Sequence, residues 1–188
     1  MIPFPNKQYK VIYADPPWSY RQQGSARGKR GMANAHYSTM TTDDIAALPV
    51  RDIATDDALL FIWATFPNIK ETLKVIDAWG FEYKTAAFVW VKKNRKSWSN
   101  FWGMGAWTRA NAELCLLGIS HRTKASKDVV SHAVHQIIES PIGRHSEKPA
   151  EVRDRIVQLV GDVPRIELFA RDKFYGWDVW GNEVGVNE

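Results

Sequence analysis

Short apolar runs alternate with helix-like segments along most of the chain. The first run, Tyr9–Ala14, is followed at once by an acid and two prolines, which predicts a buried strand that ends in a turn. Further strands are predicted at residues 58–64, 81–91, 112–119, 165–170 and 177–180, and residues 129–138 are one more candidate. Strands that alternate with helices predict an α/β sheet with helices on its faces.

Three helices are predicted between these strands. The first begins at Thr41 and is closed by Pro49, the second has Pro67 in its first turn and stops at Gly80, and the third opens at Pro149. The two longer helices each have one apolar face, made of Ile69, Leu73, Ile76 and Trp79 in the second and of Val152, Ile156, Leu159 and Val160 in the third.

The length of 188 residues fits a single domain spanning 1–188, and we expect no separate target-recognition domain. The only cysteine, Cys115, excludes an intrachain disulfide framework and any multi-cysteine metal site. No run approaches the ~20 apolar residues of a membrane helix, and the N-terminus lacks the apolar segment of a secretory signal. We therefore expect a cytoplasmic protein with no membrane partner.

The basic residues are concentrated in a few stretches. The formal charge is only +4, but residues 16–42, 83–112 and 114–127 hold 13 of the 25 basic residues and no acid. Two of these stretches contain predicted loops, at about 19–40 and 93–110, and the second also carries several tryptophans. Cations neutralise phosphate and aromatic rings stack on bases, so the loops predict nucleic-acid binding. The alternative is a solvated loop whose tryptophans fold back onto the core. The candidate contacts are Arg27, Lys29, Arg30, Lys93, Arg95 and Lys96.

Asp15, Pro16, Pro17 and Trp18 lie directly after the first predicted strand, where an open α/β sheet has its ligand crevice. Proline has no N–H, so the carbonyls of Asp15 and Pro16 are free to point outward as acceptors. Two acceptors beside an indole suit a planar ring that bears an exocyclic amine, and adenine is such a ring. The same turn could equally be only the end of a strand.

The Asp-Pro-Pro-Trp motif after a short apolar strand resembles the signature of the MT-A70-like N6-adenine methyltransferases. The likeness extends over most of the chain, from Tyr9 to Val184. It includes the segments HYSTM at 36–40, LLFIWAT at 59–65, FVWVKK at 88–93, AELCLLG at 112–118, HSEKP at 145–149 and IELFAR at 166–171. The resemblance implies a Rossmann-like, circularly permuted class I methyltransferase, with a mostly parallel sheet and helices on both faces.

The resemblance also implies S-adenosylmethionine as cofactor, S-adenosylhomocysteine as product, and no metal. Asp15, Pro16, Pro17 and Trp18 would form the catalytic motif. Residues implied at the target base are Trp18, Tyr20, Tyr37, Glu113 and Ser146. Residues implied at the cofactor are Asp15, Lys148, Glu167, Leu168, Phe169, Arg171, Asn182 and Glu183.

The predicted activity is methyl transfer to the N6 amine of adenine in DNA. Two alternatives stay open: an RNA N6-adenine methyltransferase, and a catalytically silent nucleic-acid-binding subunit on the same fold. A homodimer or a partner subunit also stays open.

Other residues favour structural interpretations. His132 and His135 with Glu139 have some resemblance to a metal site, but a spacing of three in a predicted strand puts the histidines on opposite faces. Cys115 is interpreted as a buried apolar residue, and most tryptophans, including Trp63, as core. The glycines of the first loop lack the Gly-Lys-Ser/Thr ending of a P-loop.

Overall fold

The computed structural model describes residues 2–19, 39–105, 107–121, 129–143, 147–182 and 184. Seven strands form one sheet: β1 (Tyr9–Ala14), β2 (Ala54–Ala64), β3 (Phe81–Lys93), β4 (Ala112–Ser120), β5 (Ile137–Pro141), β6 (Arg165–Leu168) and β7 (Asp178–Trp180). The helices are α1 (Thr42–Ala46), α2 (Ile69–Ala78) and α3 (Glu151–Val160). Short 3-10 helices, Val50–Ile53 and Phe66–Asn68, precede β2 and α2.

The strand order is β5-β3-β4-β2-β1-β6-β7. Strand β4 pairs antiparallel with β2 and β3, whereas all other neighbours are parallel. Six strands therefore run in one direction and β4 runs against them. Their carboxyl ends share one edge of the sheet with the beginning of β4. The predicted mostly parallel α/β sheet is confirmed.

Apolar layers lie on both sides of the sheet, because side chains alternate along each strand. Ile12 and Leu60 face the layer formed with Ile45 of α1 and Ile76 of α2. On the opposite side, residues of β1–β3 pack against Val152, Ile156 and Val160 of α3. Helices thus cover both faces, as the resemblance to a Rossmann-like methyltransferase implies.

Local signals explain where the helices begin and end. The Thr41 hydroxyl caps α1 by accepting a hydrogen bond from the Asp44 N–H at 3.1 Å. Gly80 and Gly161 follow the two longer helices with φ of 81° and 85°, which favours glycine. The prediction for Leu73 is wrong, since it is exposed and Thr72 takes the buried position by bonding to the Asn68 carbonyl at 2.8 Å.

The strand predicted at 129–138 is largely wrong. Only Ile137 and Ile138 belong to β5, which continues to Pro141 along the edge of β3. The preceding backbone instead turns to the end of α3, where the Val130 N–H donates to the Leu159 carbonyl at 2.8 Å. His132 and His135 therefore lie outside the strand, so the argument that placed them on opposite faces of a strand does not hold. Among the described residues, no group of three His, Cys, Asp or Glu side chains is arranged to hold a metal.

The described helices include none long and apolar enough to cross a membrane.

Candidate active site

A cavity of about 370 Å³ opens at the end of the sheet where the six parallel strands terminate. This volume lies in the range of small-molecule sites, and the position is the ligand crevice of an open α/β sheet. The lining comes from the turn after β1, the end of β2, the start of β4 and the segments after β6 and β7. It comprises Asp15, Pro16, Pro17, Trp18, Met40, Trp63, Ala64, Thr65, Glu113, Lys148, Phe169, Ala170, Arg171, Trp180, Gly181 and Asn182.

The four residues of the predicted catalytic motif all line this cavity. The turn after β1 is held by backbone hydrogen bonds, with the Trp18 N–H donating to the Pro16 carbonyl and the Met40 N–H to the Pro17 carbonyl, both at 2.9 Å. The buried Trp18 indole donates to the Trp63 carbonyl at 3.2 Å, which fixes its ring. The Pro16 carbonyl thus already accepts one hydrogen bond and has one lone pair left.

Four charged groups of alternating sign run from the end of β1 to the end of β3. Lys148 Nζ lies 2.9 Å from Asp15 Oδ2 and 3.3 Å from Glu113 Oε2, and Lys92 Nζ bonds to Glu113 Oε1. Lys148 also lies over the Trp63 ring, 5.5 Å from its centroid. Glu113 and Lys148 are almost fully buried, whereas the Asp15 side chain keeps a quarter of its surface, 26%, exposed. Of the two carboxylates in this set, Asp15 is therefore the one with room for a ligand.

The surroundings shift the pKa values of these groups in different directions. Burial raises the pKa of Asp15, and the nearby Lys148 offsets only part of that rise. Burial also acts on Glu113, but Lys148 and Lys92 outweigh it and lower its pKa. For Lys148 the burial penalty is exceeded by the two carboxylates, so its pKa is raised. Lys148 thus lies between the two carboxylates, and Lys92 lies on the far side of Glu113.

The predicted cofactor residues are divided between the cavity and the sheet interior. Phe169, Arg171 and Asn182 line the cavity together with Lys148. Glu167 and Leu168 are not among its lining residues, and both Glu167 oxygens accept hydrogen bonds from Arg153, at 2.6 and 2.8 Å. The role of Glu167 in cofactor binding stays a prediction, since its carboxylate is bonded to Arg153 and does not line the cavity.

The segments after β6 and β7 meet in a very close contact. A Cβ on Gly181 would lie 2.3 Å from the Ala170 carbonyl oxygen, so only glycine fits there. Phe169 has a φ of 62°, an uncommon conformation for a residue with a side chain. Its ring meets Trp180 edge-on at 5.5 Å, and Phe4 packs on Trp180 at 4.5 Å. These rings form an aromatic wall, and Phe169 and Trp180 of this wall line the cavity.

The predicted nucleic-acid contacts of the second loop are in part engaged within the protein. Lys93 pairs with Glu139 of β5 at 2.7 Å, and the Arg95 guanidinium donates to the Ile142 carbonyl at 2.6 Å. Arg95 and Lys96 remain exposed. The predicted residues Tyr20, Arg27, Lys29, Arg30, Tyr37, Ser146 and Glu183 lie outside the described residues.

Sequence reasoning missed that Lys92 contacts a cavity residue, Glu113, and that Trp63 lines the cavity. Alternation along a strand separates Lys92 from Lys93, which was the available signal. Trp63 was assigned to the core, and it is 1% exposed, yet it also lines the cavity. Cys115 is buried and its pKa is raised well above the usual value by burial, which agrees with the apolar interpretation.

A sequence model of the MT-A70 family matches residues 9–183, nearly the whole chain. The chain belongs to the MT-A70 family. The match includes both the Asp-Pro-Pro-Trp turn and the cavity residues that follow β6 and β7, so the geometry described above is that of an MT-A70 domain.

Curated relatives of this MT-A70 domain are methyltransferases. It is 35% identical over 198 residues to the type II methyltransferase M.MunI of Mycoplasma sp, covering 98% of this chain and 81% of that protein. It is 26% identical to the N(6)-adenosine-methyltransferase MT-A70-like of Arabidopsis thaliana, covering 94% of this chain but 24% of the plant protein. It is 28% identical to the N6-methyladenosine RNA methyltransferase MTA1 of Pyricularia oryzae, covering 94% of this chain and 47% of that protein. The chain thus spans less than half the length of the two eukaryotic relatives.

Proposed function

We propose that this protein transfers a methyl group from S-adenosylmethionine to the N6 amine of adenine in DNA. The observation that carries the proposal is the partly exposed Asp15 carboxylate, placed beside the Pro16 carbonyl and the fixed Trp18 indole in one cavity. Two acceptors and an aromatic ring match the two N–H groups and the plane of an adenine amine.

The cavity has the chemical groups that the cofactor needs. A buried ammonium, Lys148, suits a carboxylate, and the Asn182 amide and the aromatic wall suit a ribose and a purine ring. The bare backbone at Gly181 permits close approach of the chain after β6. Lys148, Phe169, Arg171 and Asn182 would therefore hold the cofactor, with Asp15 at the boundary between cofactor and base. When bound, the cofactor supplies an electrophilic methyl group on a sulfonium sulfur.

The protein's own residues would prepare the amine. The N6 lone pair is delocalised into the adenine ring, which makes the amine a poor nucleophile. Hydrogen bonds from its two N–H groups to Asp15 and to the Pro16 carbonyl would draw the nitrogen toward tetrahedral geometry. The raised pKa of Asp15 makes its carboxylate a better acceptor for the proton that the amine loses. Positioning and electrostatics supply the catalysis.

Glu113, held by Lys92, would form the floor of the base site. Glu113 keeps its negative charge because two lysines hold it, so it can accept but not donate a hydrogen bond. If the target lies in a duplex, the base must be flipped out at a cost of a few kcal/mol, and stacking on Trp18 would offset part of that cost.

DNA is the favoured substrate because the relative of similar length is not named for RNA, whereas the two longer relatives are named for adenosine or RNA. Those two names make RNA the second candidate. The basic loops neutralise either backbone, and an unpaired adenine presents the same amine in both.

Nucleoside analysis after methyl transfer tests the proposal. The protein is incubated with methyl-labelled cofactor and with single-stranded DNA, duplex DNA and RNA of one sequence, and an adenine-free DNA is the control. Mass spectrometry of the digested nucleosides is expected to show labelled N6-methyldeoxyadenosine. Label in RNA alone would reverse the substrate assignment, and transfer to none of them would favour a silent binding subunit.

A further inference from the structure

The hairpin described by residues 94–105 and 107–111 joins β3 to β4 at the end of the sheet that carries the cavity. Strand β3 runs parallel to β1, so Lys93 and Asp15 lie at the same edge. The base of the hairpin is also bonded to the site, because the Phe101 N–H donates to the carbonyl of Lys92 at 2.9 Å while the Lys92 ammonium holds Glu113. A nucleic acid with its target base in the cavity would therefore pass close to this hairpin.

The hairpin has a defined backbone. The Asn94 N–H donates to the Ser99 carbonyl at 2.8 Å, and the Asn94 side chain donates to Ser99 Oγ at 2.9 Å and to the Asn100 carbonyl at 3.1 Å. Further along, the Gly103 N–H donates to the Ala110 carbonyl at 2.8 Å. The hairpin is also fixed to β5 by Lys93 and by Arg95. The backbone of the hairpin is thus held in place by hydrogen bonds and by its neighbours.

Three indoles project from this hairpin into solvent. Trp98, Trp102 and Trp107 are 56%, 58% and 99% exposed. Trp98 has a φ of 54°, a conformation that costs an ordinary residue about 1–2 kcal/mol. The hydrogen bonds of Asn94 maintain this strained backbone, which keeps the indole away from the core. The sequence alternative, in which the tryptophans fold back onto the core, is wrong for these three.

The charge around the indoles selects the kind of partner. The segment from 83 to 112 has six basic residues and no acid, and Arg95, Lys96 and Arg109 are exposed on the hairpin itself. Exposed cations without neighbouring acids in the same segment suit a polyanion, and flat indoles suit unpaired bases.

We propose that the hairpin is a stacking platform for the bases next to the target adenine, which bind there unpaired. Trp98 and Trp102 supply stacking faces, and Arg109 with Lys96 neutralises the adjoining phosphates. This inference rests on the proposed function, since it takes the strand in the cavity to be nucleic acid. It predicts that the protein binds its substrate with the bases next to the target adenine unpaired.

Stacking is tested by binding of a short fluorescent single-stranded DNA of adenine and thymine, measured by anisotropy. Trp98→Ala and Trp102→Ala are each expected to weaken binding about fivefold or more, since base stacking is worth ~1–3 kcal/mol per base. Trp98→Phe and Trp102→Phe keep an aromatic face and are expected to retain most of the affinity. Tyr175→Ala is the matched control, because this exposed ring precedes β7 at the opposite edge of the sheet.

The salt dependence of binding separates stacking from charge. The tryptophan variants are expected to keep the slope of log Kd against log salt, whereas Arg109→Ala is expected to reduce it by about 0.7. Unchanged affinity in both alanine variants would overturn the proposal. The proposal would also be overturned if the alanine variants kept their DNA affinity but had a lower oligomer mass than the wild type by light scattering. That result would identify the hairpin as a contact between copies of the chain.

Methyl transfer by the wild type, measured in parallel, distinguishes this inference from the proposed function. If the wild type methylates adenine but the alanine variants bind DNA normally, the stacking platform fails and the function stands. If the wild type transfers no methyl group but the alanine variants lose DNA affinity and the phenylalanine variants retain it, the platform stands and the function fails.

Discussion

Two sets of buried ion pairs among the described residues are built in opposite ways. One joins Arg153 of α3 to Glu167 of β6, and the other surrounds Lys148. The pair of Arg153 and Glu167 is closed, because the guanidinium meets both carboxylate oxygens and also stacks on Phe174 at 3.4 Å. The set around Lys148 is open, since one ammonium bridges Asp15 and Glu113 by single contacts at the cavity wall. Glu113 Oε2 lies 3.3 Å from Lys148 but accepts no well-directed hydrogen bond from the described part of the chain.

The closed pair is built to support the fold, whereas the open set is built so that it can bind a ligand. A two-point pair that does not line the cavity is out of reach of a ligand bound there. A bridging ammonium can exchange one carboxylate for a ligand group while the other still compensates its charge. Removing members of the closed pair should therefore change stability, and removing members of the open set should change ligand binding and pH dependence.

The largest effect is expected for Arg153→Met, which leaves the Glu167 carboxylate buried without its partner. Breaking a buried pair costs about 3–5 kcal/mol, so the free energy of unfolding in denaturant should fall by that amount. The double variant Arg153→Met with Glu167→Leu should recover most of it, and Lys84→Ala, which breaks an exposed pair with Glu82, should be nearly neutral. Normal stability of Arg153→Met with weakened cofactor binding would instead assign Glu167 to the cofactor.

A smaller effect is expected for Lys148→Met, through affinity and pH dependence. A hydrogen bond to a charged group contributes ~1.5–3 kcal/mol. Loss of the Lys148 ammonium should therefore weaken cofactor binding about ten- to hundredfold, as measured by calorimetry. Burial raises the pKa of Asp15 above its usual 3.8, and the positive charge of Lys148 limits that rise. Removal of Lys148 should therefore raise the pKa of Asp15 further. Because the proposed transfer needs the ionised carboxylate, activity should fall as pH drops through this pKa, and the variant should lose activity at a higher pH. Lys148→Arg keeps the charge, so its activity should fall at the same pH as that of the wild type. If the activity of Lys148→Met also fell at the wild-type pH, the assignment of Asp15 and Lys148 to the site would be contradicted.

The smallest effect is expected for Lys92→Met, because Lys92 acts only through Glu113. A partly exposed charge contact is worth about 1 kcal/mol, so KM for the nucleic acid should rise about fivefold while cofactor affinity stays unchanged. Lys92→Arg should restore KM. Lys84→Met is the control on the same strand, since Lys84 pairs with Glu82 outside the cavity. Equal effects of the two methionine variants would show that both act as general positive charges.

Local sequence patterns predicted the parts of the fold that depend on local structure. The bounds of β1 match the predicted run because its apolar residues end at two prolines, and Thr41 caps α1 as its type suggests. The predicted strand at 129–138 failed because contacts with α3 govern that backbone. Strand β6 ends at Leu168, before the predicted Ala170, because Phe169 leaves the extended conformation.

The candidate site was predicted by resemblance more than by pattern, and its internal contacts were not predictable. Asp15, Glu113 and Lys148 are far apart in sequence, and only the sheet order brings them together. Which acid Arg153 would hold depends on the register between α3 and β6, which no local pattern encodes. The exposure of Trp98 and Trp102 likewise depends on the turn built by Asn94.

The most direct test of the account compares the wild type with Asp15→Asn under single-turnover conditions, using labelled cofactor and an adenine-containing DNA. The asparagine has the same shape, and Lys148 keeps Glu113 as its partner, so the variant should fold and show an unchanged unfolding midpoint. The account predicts that formation of N6-methyldeoxyadenosine slows by about 10²–10³-fold or more, as when a group that stabilises the transition state is removed. Methyl transfer by Asp15→Asn at a rate near that of the wild type would contradict it.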